Sequence, residues 1–141
     1  MLDFSNSKIL IVGDVMLDKY YFGKVDRISP EAPVPIVNIQ KEESRLGGAS
    51  NVANNIVSLG GHSLLCGVIG HDLFGKEIER ISRHKNIDTF LLKTSSPTIT
   101  KARIIGGKQQ IVRVDYEDKE KNIWVTTDHG VTNIIATNSP E

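Results

Sequence analysis

Short apolar runs ending in glycine or polar turns alternate with helix-like periodicity from Lys8 to Leu92. Lys8–Val12, KILIV, is rich in β-branched residues and runs into Gly13-Asp14, so it reads as a buried strand feeding a loop. Asp18–Val25 and Val34–Gln40 are β-prone with partly alternating polarity. The three prolines of Ile28–Pro35 lie between them and preclude a helix. Two strands split by a stiff polar loop, placed before the first helix, predict an excursion from the main sheet. Gly48–Leu59 carries Val52, Ile56 and Leu59 at helical spacing, with Ala49 and Ala53 permitting close packing, and Gly60-Gly61 stops the helix. His62–Gly70 reads as a second buried strand. Asp72 can cap a helix with Phe74, Ile78 and Ile81 as its inward stripe, Lys85-Asn86 ends it, and Ile87–Leu92 returns as strand. This β-α-β-α-β order predicts an α/β fold with a parallel sheet and right-handed crossovers.

Thr98–Ile105 and Gln109–Asp115 flank Gly106-Gly107, the pattern of a β-hairpin. Strand alternation puts Lys101 and Arg103 on one face, and Arg113 with Ile111 on one face of the returning strand. The tail after Tyr116 opens with the charged run EDKEK and holds two β-like patches, Ile123–Thr127 and Val131–Thr137.

The chemistry concentrates at Arg45–Gly61, RLGGASNVANNIVSLGG. Gly47 and Gly48 lack side chains where the backbone must bend, so a ligand can approach the main chain. The helix start that follows exposes unpaired N–H groups and a partial positive charge, with Asn51 in its first turn. That makes a sugar-binding corner, or simply a tight βα connection. Asp14, at the carboxyl end of the first strand, either accepts hydrogen bonds from two sugar hydroxyls or caps the next turn. Asp18 has the same two options. Lys101, Arg103 and Arg113 gather charge that suits a phosphate, or form the solvated face of a hairpin. Arg27–Pro35 is a lid contact or a stiff surface turn.

Composition narrows the function classes. Lys and Arg total 17 against 17 Asp and Glu, so no basic field advertises nucleic acid or an anionic membrane. The longest apolar runs are far too short to span a bilayer, and MLDFSNSK has no secretory pattern. The single cysteine, Cys66, reads as an inert core residue in a reducing cytoplasm. The histidines show no metal-ligand spacing, and neither GxGxxG nor GxxxxGK[ST] occurs.

Four blocks, GDVMLDKYYFGKVDRISPEAPVPIV (Gly13–Val37), LGGASNVANNIVSLGG (Leu46–Gly61), GVIGHDLFG (Gly67–Gly75) and TITKARIIGGKQQIVRVDYE (Thr98–Glu117), together resemble the ribokinase-like (PfkB) carbohydrate kinases. RISPEAPVP and the paired TKARII and QQIVRVD strands resemble the heptose 7-phosphate branch of that family. The resemblance implies the N-terminal half of a ribokinase-like fold over residues 1–117, a parallel sheet with flanking helices plus a β-lid at about 18–40 and 98–115, and a divergent tail at 118–141. It implies sugar contacts at Asp14, Gly47, Gly48 and Asn51. Lys101, Arg103 and Arg113 would then face the substrate, one or more of them holding the 7-phosphate.

The implied reaction moves the γ-phosphoryl group of ATP, with Mg²⁺, onto the anomeric hydroxyl to give heptose 1,7-bisphosphate for lipopolysaccharide precursors. A cytoplasmic homodimer through the lid is implied too. The family's catalytic aspartate sits in a GAGD-type loop, and this chain has no such motif. The expectation is that the 141 residues alone do not transfer phosphoryl groups. The alternatives are a non-catalytic sugar-phosphate binding or dimerisation module, or another sugar kinase of the family.

Overall fold

The computed structural model describes residues 4–117, 124–127 and 130–133. In chain order the elements are β1 (Lys8–Val12), β2 (Val15–Ile28), β3 (Pro35–Gly48), α1 (Ala49–Ser58), β4 (His62–Gly70), α2 (Leu73–His84), β5 (Asp88–Thr94), β6 (Ile99–Gly106), β7 (Gln109–Tyr116), β8 (Trp124–Thr127) and β9 (Gly130–Asn133). β1, β4 and β5 form a parallel sheet in that order, the α/β core that the alternation predicts. β3-β2-β6-β7 form a second, mixed sheet, with β2 and β6 parallel and the outer pairs antiparallel. β8 and β9 pair antiparallel and overlap both expected tail patches; residues 118–123 and 134–141 lie outside the described residues.

Strand order and handedness together decide where the helices go. The core sheet grows in one direction, from β1 to β4 to β5, so right-handed crossovers place α1 and α2 on the same face. That inner face carries Ile11, Leu65 and Ile69, packed with Ala53 of α1 and with Ile78 and Ile81 of α2. The other face points the opposite way. In register along it, Leu10 lies beside Leu64, Val12 beside Cys66, Cys66 beside Phe90 and Val68 beside Leu92. Leu10 is 61% exposed and Phe90 63%. Cys66 is therefore half-exposed on an apolar surface, not the core residue expected from the run around it.

Two other expectations are corrected. Ile56 does pack against the core, but Val52 is 49% exposed and Leu59 is exposed too. The buried stripe of α1 is Ser50 and Ala53, with Ala49 and Val57 beside it. Closeness is the reason: a Cβ placed on Gly13 would already sit 3.3 Å from the Ala49 Cβ, so the helix rests on the strands through small residues. The lid strands, read as short patches, are each 14 residues long. β6 pairs β2 only from Met16 to Gly23, so Lys24–Ile28 and Pro35–Ile39 project as a two-stranded arm. The turn at 29–34 closes with Ser29 N–H donating to the Val34 carbonyl at 2.9 Å.

Among the described residues, no helix is long and apolar enough to cross a membrane.

Candidate functional site

The glycine corner folds back onto the end of β1. β3 finishes beside the start of β2, with Gly47 opposite Met16 and Gly48 opposite Val15. Gly48 has φ 55°, a region that L side chains avoid, and a Cβ there would lie 2.4 Å from the Asp14 carbonyl oxygen. That carbonyl accepts a 2.9 Å hydrogen bond from Ala49 N–H, locking the β1 exit to the start of α1. Ser50 Oγ donates to the Gly47 carbonyl at 2.6 Å and to the Met16 carbonyl at 3.3 Å, pinning the turn from below. No side chain caps α1, and its first turn holds no acidic residue. Gly48 is thus required by the bend itself, and Asp14 contributes its backbone while its exposed carboxylate stays outside these bonds.

Beside this corner the lid sheet presents a charged face. In register across the strands, Asp18 lies next to Arg45 on β3 and Lys101 on β6, and Lys101 next to Asp115 on β7. One step further, Tyr20 is flanked by Glu43 and Arg103, and Arg103 by Arg113. A Cβ on Gly47 would meet Asp18 Oδ2 at 2.7 Å, so the missing side chain is what lets this carboxylate lie over the corner. Asp18 Oδ1 accepts a charge-assisted bond from Arg103 Nη1, and both side chains are only 21% exposed. Tyr20 lies between two guanidiniums, with Arg45 Cζ 4.6 Å and Arg103 Cζ 5.3 Å from its ring centre.

The three expected cations do share this face, but they differ in state. Arg103 is committed to Asp18, and Arg113 holds Asp115 through both nitrogens at 2.9 Å. Lys101 has no ion-pair partner among the described residues. Asn51, exposed in the first turn of α1, lines a cleft of about 450 Å³ with Asn54, Arg45 and Leu46 and with Ile81 and Lys85 of α2. Asp14 is not among the residues lining that cleft. Arg45 borders both the cleft and the charged face, and the motif-based reading missed it. Its signal was positional: Lys41, Glu43 and Arg45 alternate along the strand leading into the glycines. Glu43 accepts from both cations, and these bonds hold its carboxyl below the usual glutamate range.

Asp72 joins the two sheets. As expected it caps α2, accepting from Gly75 N–H at 2.8 Å. It also accepts from Thr98 N–H and from the Thr98 hydroxyl, both at 2.7 Å, at the threshold of β6. Thr98 Oγ1 in turn accepts from Gly70 N–H at 2.8 Å. Burial opposes ionisation of Asp72, but the bonds from Thr98 and Gly75 outweigh it and hold the carboxyl below the ordinary aspartate value.

ATP and Mg²⁺ do not fit the donor set described. No three His, Cys, Asp or Glu side chains gather to hold a metal ion among the described residues. Among the described residues, no glycine-rich anion hole with an aspartate follows the lid. No nucleotide chemistry can be derived from these residues.

Comparison with known proteins identifies the setting. A profile described as "pfkB family carbohydrate kinase" matches residues 6–131. The D-beta-D-heptose 7-phosphate kinase of Bordetella bronchiseptica is 51% identical over 114 residues, covering 80% of this chain and 36% of that protein. The bifunctional protein HldE of Nitratiruptor sp. is 50% identical over 128 residues, covering 91% of this chain and 28% of the relative. Among solved structures, a carbohydrate kinase from Agrobacterium tumefaciens superposes with a TM-score of 0.62 at 16% identity, over 77% of this chain and 34% of that one, which supports the fold alone. The chain spans about a third or less of the relatives it matches. With most of its length inside the family profile, this chain belongs to the pfkB family of carbohydrate kinases.

Proposed function

We propose that this chain carries the sugar-phosphate half of a heptose 7-phosphate kinase. The reaction is transfer of the γ-phosphoryl group of ATP to the anomeric hydroxyl, giving heptose 1,7-bisphosphate in the cytoplasm. The Gly47-Gly48 corner with Asp14 and Asn51 takes the polyol, and Lys101, Arg103 and Arg113 take the 7-phosphate. The observation that supports this reading is the charged lid face abutting the corner, where Asp18 lies over Gly47 and is held by Arg103. Lys101 is the cation with no ion-pair partner among the described residues, so it meets a phosphate at the least cost in broken ion pairs. Arg103 would have to keep Asp18 while turning part of its fork outward.

Titration calorimetry with a heptose 7-phosphate tests the assignment. Lys101→Ala should weaken binding about tenfold, the worth of one charge-assisted contact. Unchanged affinity in both Lys101→Ala and Arg103→Ala removes the phosphate site. A coupled ADP-release assay on the 141 residues alone should show no turnover, because the described residues offer no catalytic base or anion hole.

A homodimer through the lid is the second part of the reading. The projecting arm exposes Val25, Ile28, Val34 and Ile39, and a two-stranded ribbon is marginal without support.

A further inference from the structure

Asn51 belongs to the sugar corner, but the rest of the cleft it opens into has no role in the reading above. The strand wall of that cleft is Glu43 to Leu46, four consecutive residues of β3. Side chains from both faces of a strand share one cavity along the strand's edge, and β3 is the outermost strand of the lid sheet. The cleft therefore runs along an edge whose outward backbone N–H and C=O groups no other strand pairs among the described residues. Asn51 and Asn54 lie three positions apart, so they are neighbours on one flank of α1. Asparagine is a poor helix former, and neither amide has a side-chain hydrogen bond among the described residues. Lys85, at the end of α2, has no ion-pair partner among them either. Leu46 and Ile81 are 5% and 8% exposed and supply the apolar part of the wall.

This donor set decides what fits. Each amide offers two donors and an acceptor, the Ser44 hydroxyl a donor and an acceptor, and the Lys85 ammonium three donors. A bare anion satisfies the donors alone, and an apolar ligand satisfies neither kind. A polyol satisfies both, because every hydroxyl donates and accepts, and its C–H face can rest on Leu46 and Ile81. The volume of about 450 Å³ falls within the roughly 300–1,000 Å³ of small-molecule sites. We propose that Asn54 and Lys85 are sugar-binding residues, and that the polyol held by Asn51 lies along the free edge of β3 with its hydroxyls shared between the two amides and the Lys85 ammonium. Arg45 borders both the cleft and the charged face, with Asp18 and then Lys101 beyond it in register. The cleft thus reads hydroxyls, and the charged face reads the phosphate. This inference rests on the sugar reading above and adds the residues that sense the hydroxyl pattern.

Titration calorimetry on the 141-residue chain separates the two surfaces when heptose 7-phosphate is compared with the same heptose lacking its phosphate. Asn54→Ala and Lys85→Ala should each weaken both ligands by the same factor, about fivefold. Lys101→Ala should weaken only the phosphorylated one. Alanine favours a helix more than asparagine does, so Asn54→Ala keeps α1 intact, as circular dichroism would verify. Asn55→Ala, exposed on α1 and outside the cleft wall, should leave both affinities unchanged. Affinities untouched by Asn54→Ala and Lys85→Ala, a loss confined to the phosphorylated ligand, an equal loss in Asn55→Ala, or no binding of the unphosphorylated heptose would each overturn the proposal and leave the phosphate site standing. A wild-type chain that binds neither ligand would overturn the sugar reading, and this inference with it.

Discussion

The two sheets solve the same problem in opposite ways. The core sheet packs the middle of one face under helices and leaves the other apolar and bare, whereas the lid sheet divides its residues between a helix-facing side and a charged side. Leu17 and Leu46 on the lid are buried against the core, while Asp18, Arg45, Lys101 and Arg103 turn outward. A face of paired charges is at home in water and can wait for a small polar ligand. A face of leucine, valine and phenylalanine is not, and calls for protein. The contrast separates a charged surface that water satisfies from an apolar surface that water does not.

The glycine corner offers the most severe way to break that arrangement. Gly48→Val combines a φ of 55° with a Cβ overlapping the Asp14 carbonyl, so the β1 exit and α1 cannot both keep their places. A loss of about 3 kcal/mol or more is expected in denaturant unfolding. A Gly48→Ala variant of wild-type stability would show that the corner is not a constraint.

Neighbouring leucines on β4 sharpen the difference between the two faces of the core sheet. Leu65 is fully buried and Leu64 is 41% exposed on the other side. Leu65→Ala should cost about 3 kcal/mol through lost contacts and a residual cavity, while Leu64→Ala should cost under about 1 kcal/mol. Equal losses from urea titrations of the two variants would mean that the outer face is already covered in solution.

The smallest effect concerns the joint between the sheets. Asp72 is held below its ordinary pKa, so its contribution is fully present above the unfolded value near 3.9 and is lost as pH falls through the folded one. Asp72→Asn should cost about 1 kcal/mol at pH 7, the scale of a helix cap. It should also flatten the acid limb of the stability curve below about pH 4. An unchanged acid limb would show that the Thr98 and Gly75 bonds do not favour the ionised form.

Much of this was legible in advance, for identifiable reasons. β4 spans His62–Gly70 as the sequence reading has it, Asp72 caps α2 as its position suggests, and the hairpin turns at Gly107, whose φ is 64°. Those features depend on neighbouring residues alone. The inward side of α1 departs from the apolar periodicity because close approach to the strands selects the small residues Ser50 and Ala53 over Val52 and Leu59. Cys66 was misread because an apolar run does not reveal that one side of a sheet lacks its cover. At the site, the shared face of Lys101 and Arg103 follows from strand alternation, and the register of β6 against β7 adds Arg113 to it. The grip of Arg103 on Asp18 joins residues 85 positions apart and needed the register of β2 against β6.

One-directional winding also has a bearing on how such a protein is born. A ribosome has made all of β1, β4 and β5 once it passes Thr94, and helices can then settle on only one side of them. In a longer relative, each further hundred residues takes about 5–20 s to synthesise, and a greasy plane stands open to the cytosol throughout. Nascent-chain chaperones would meet Leu10 and Phe90 well before any covering helix could.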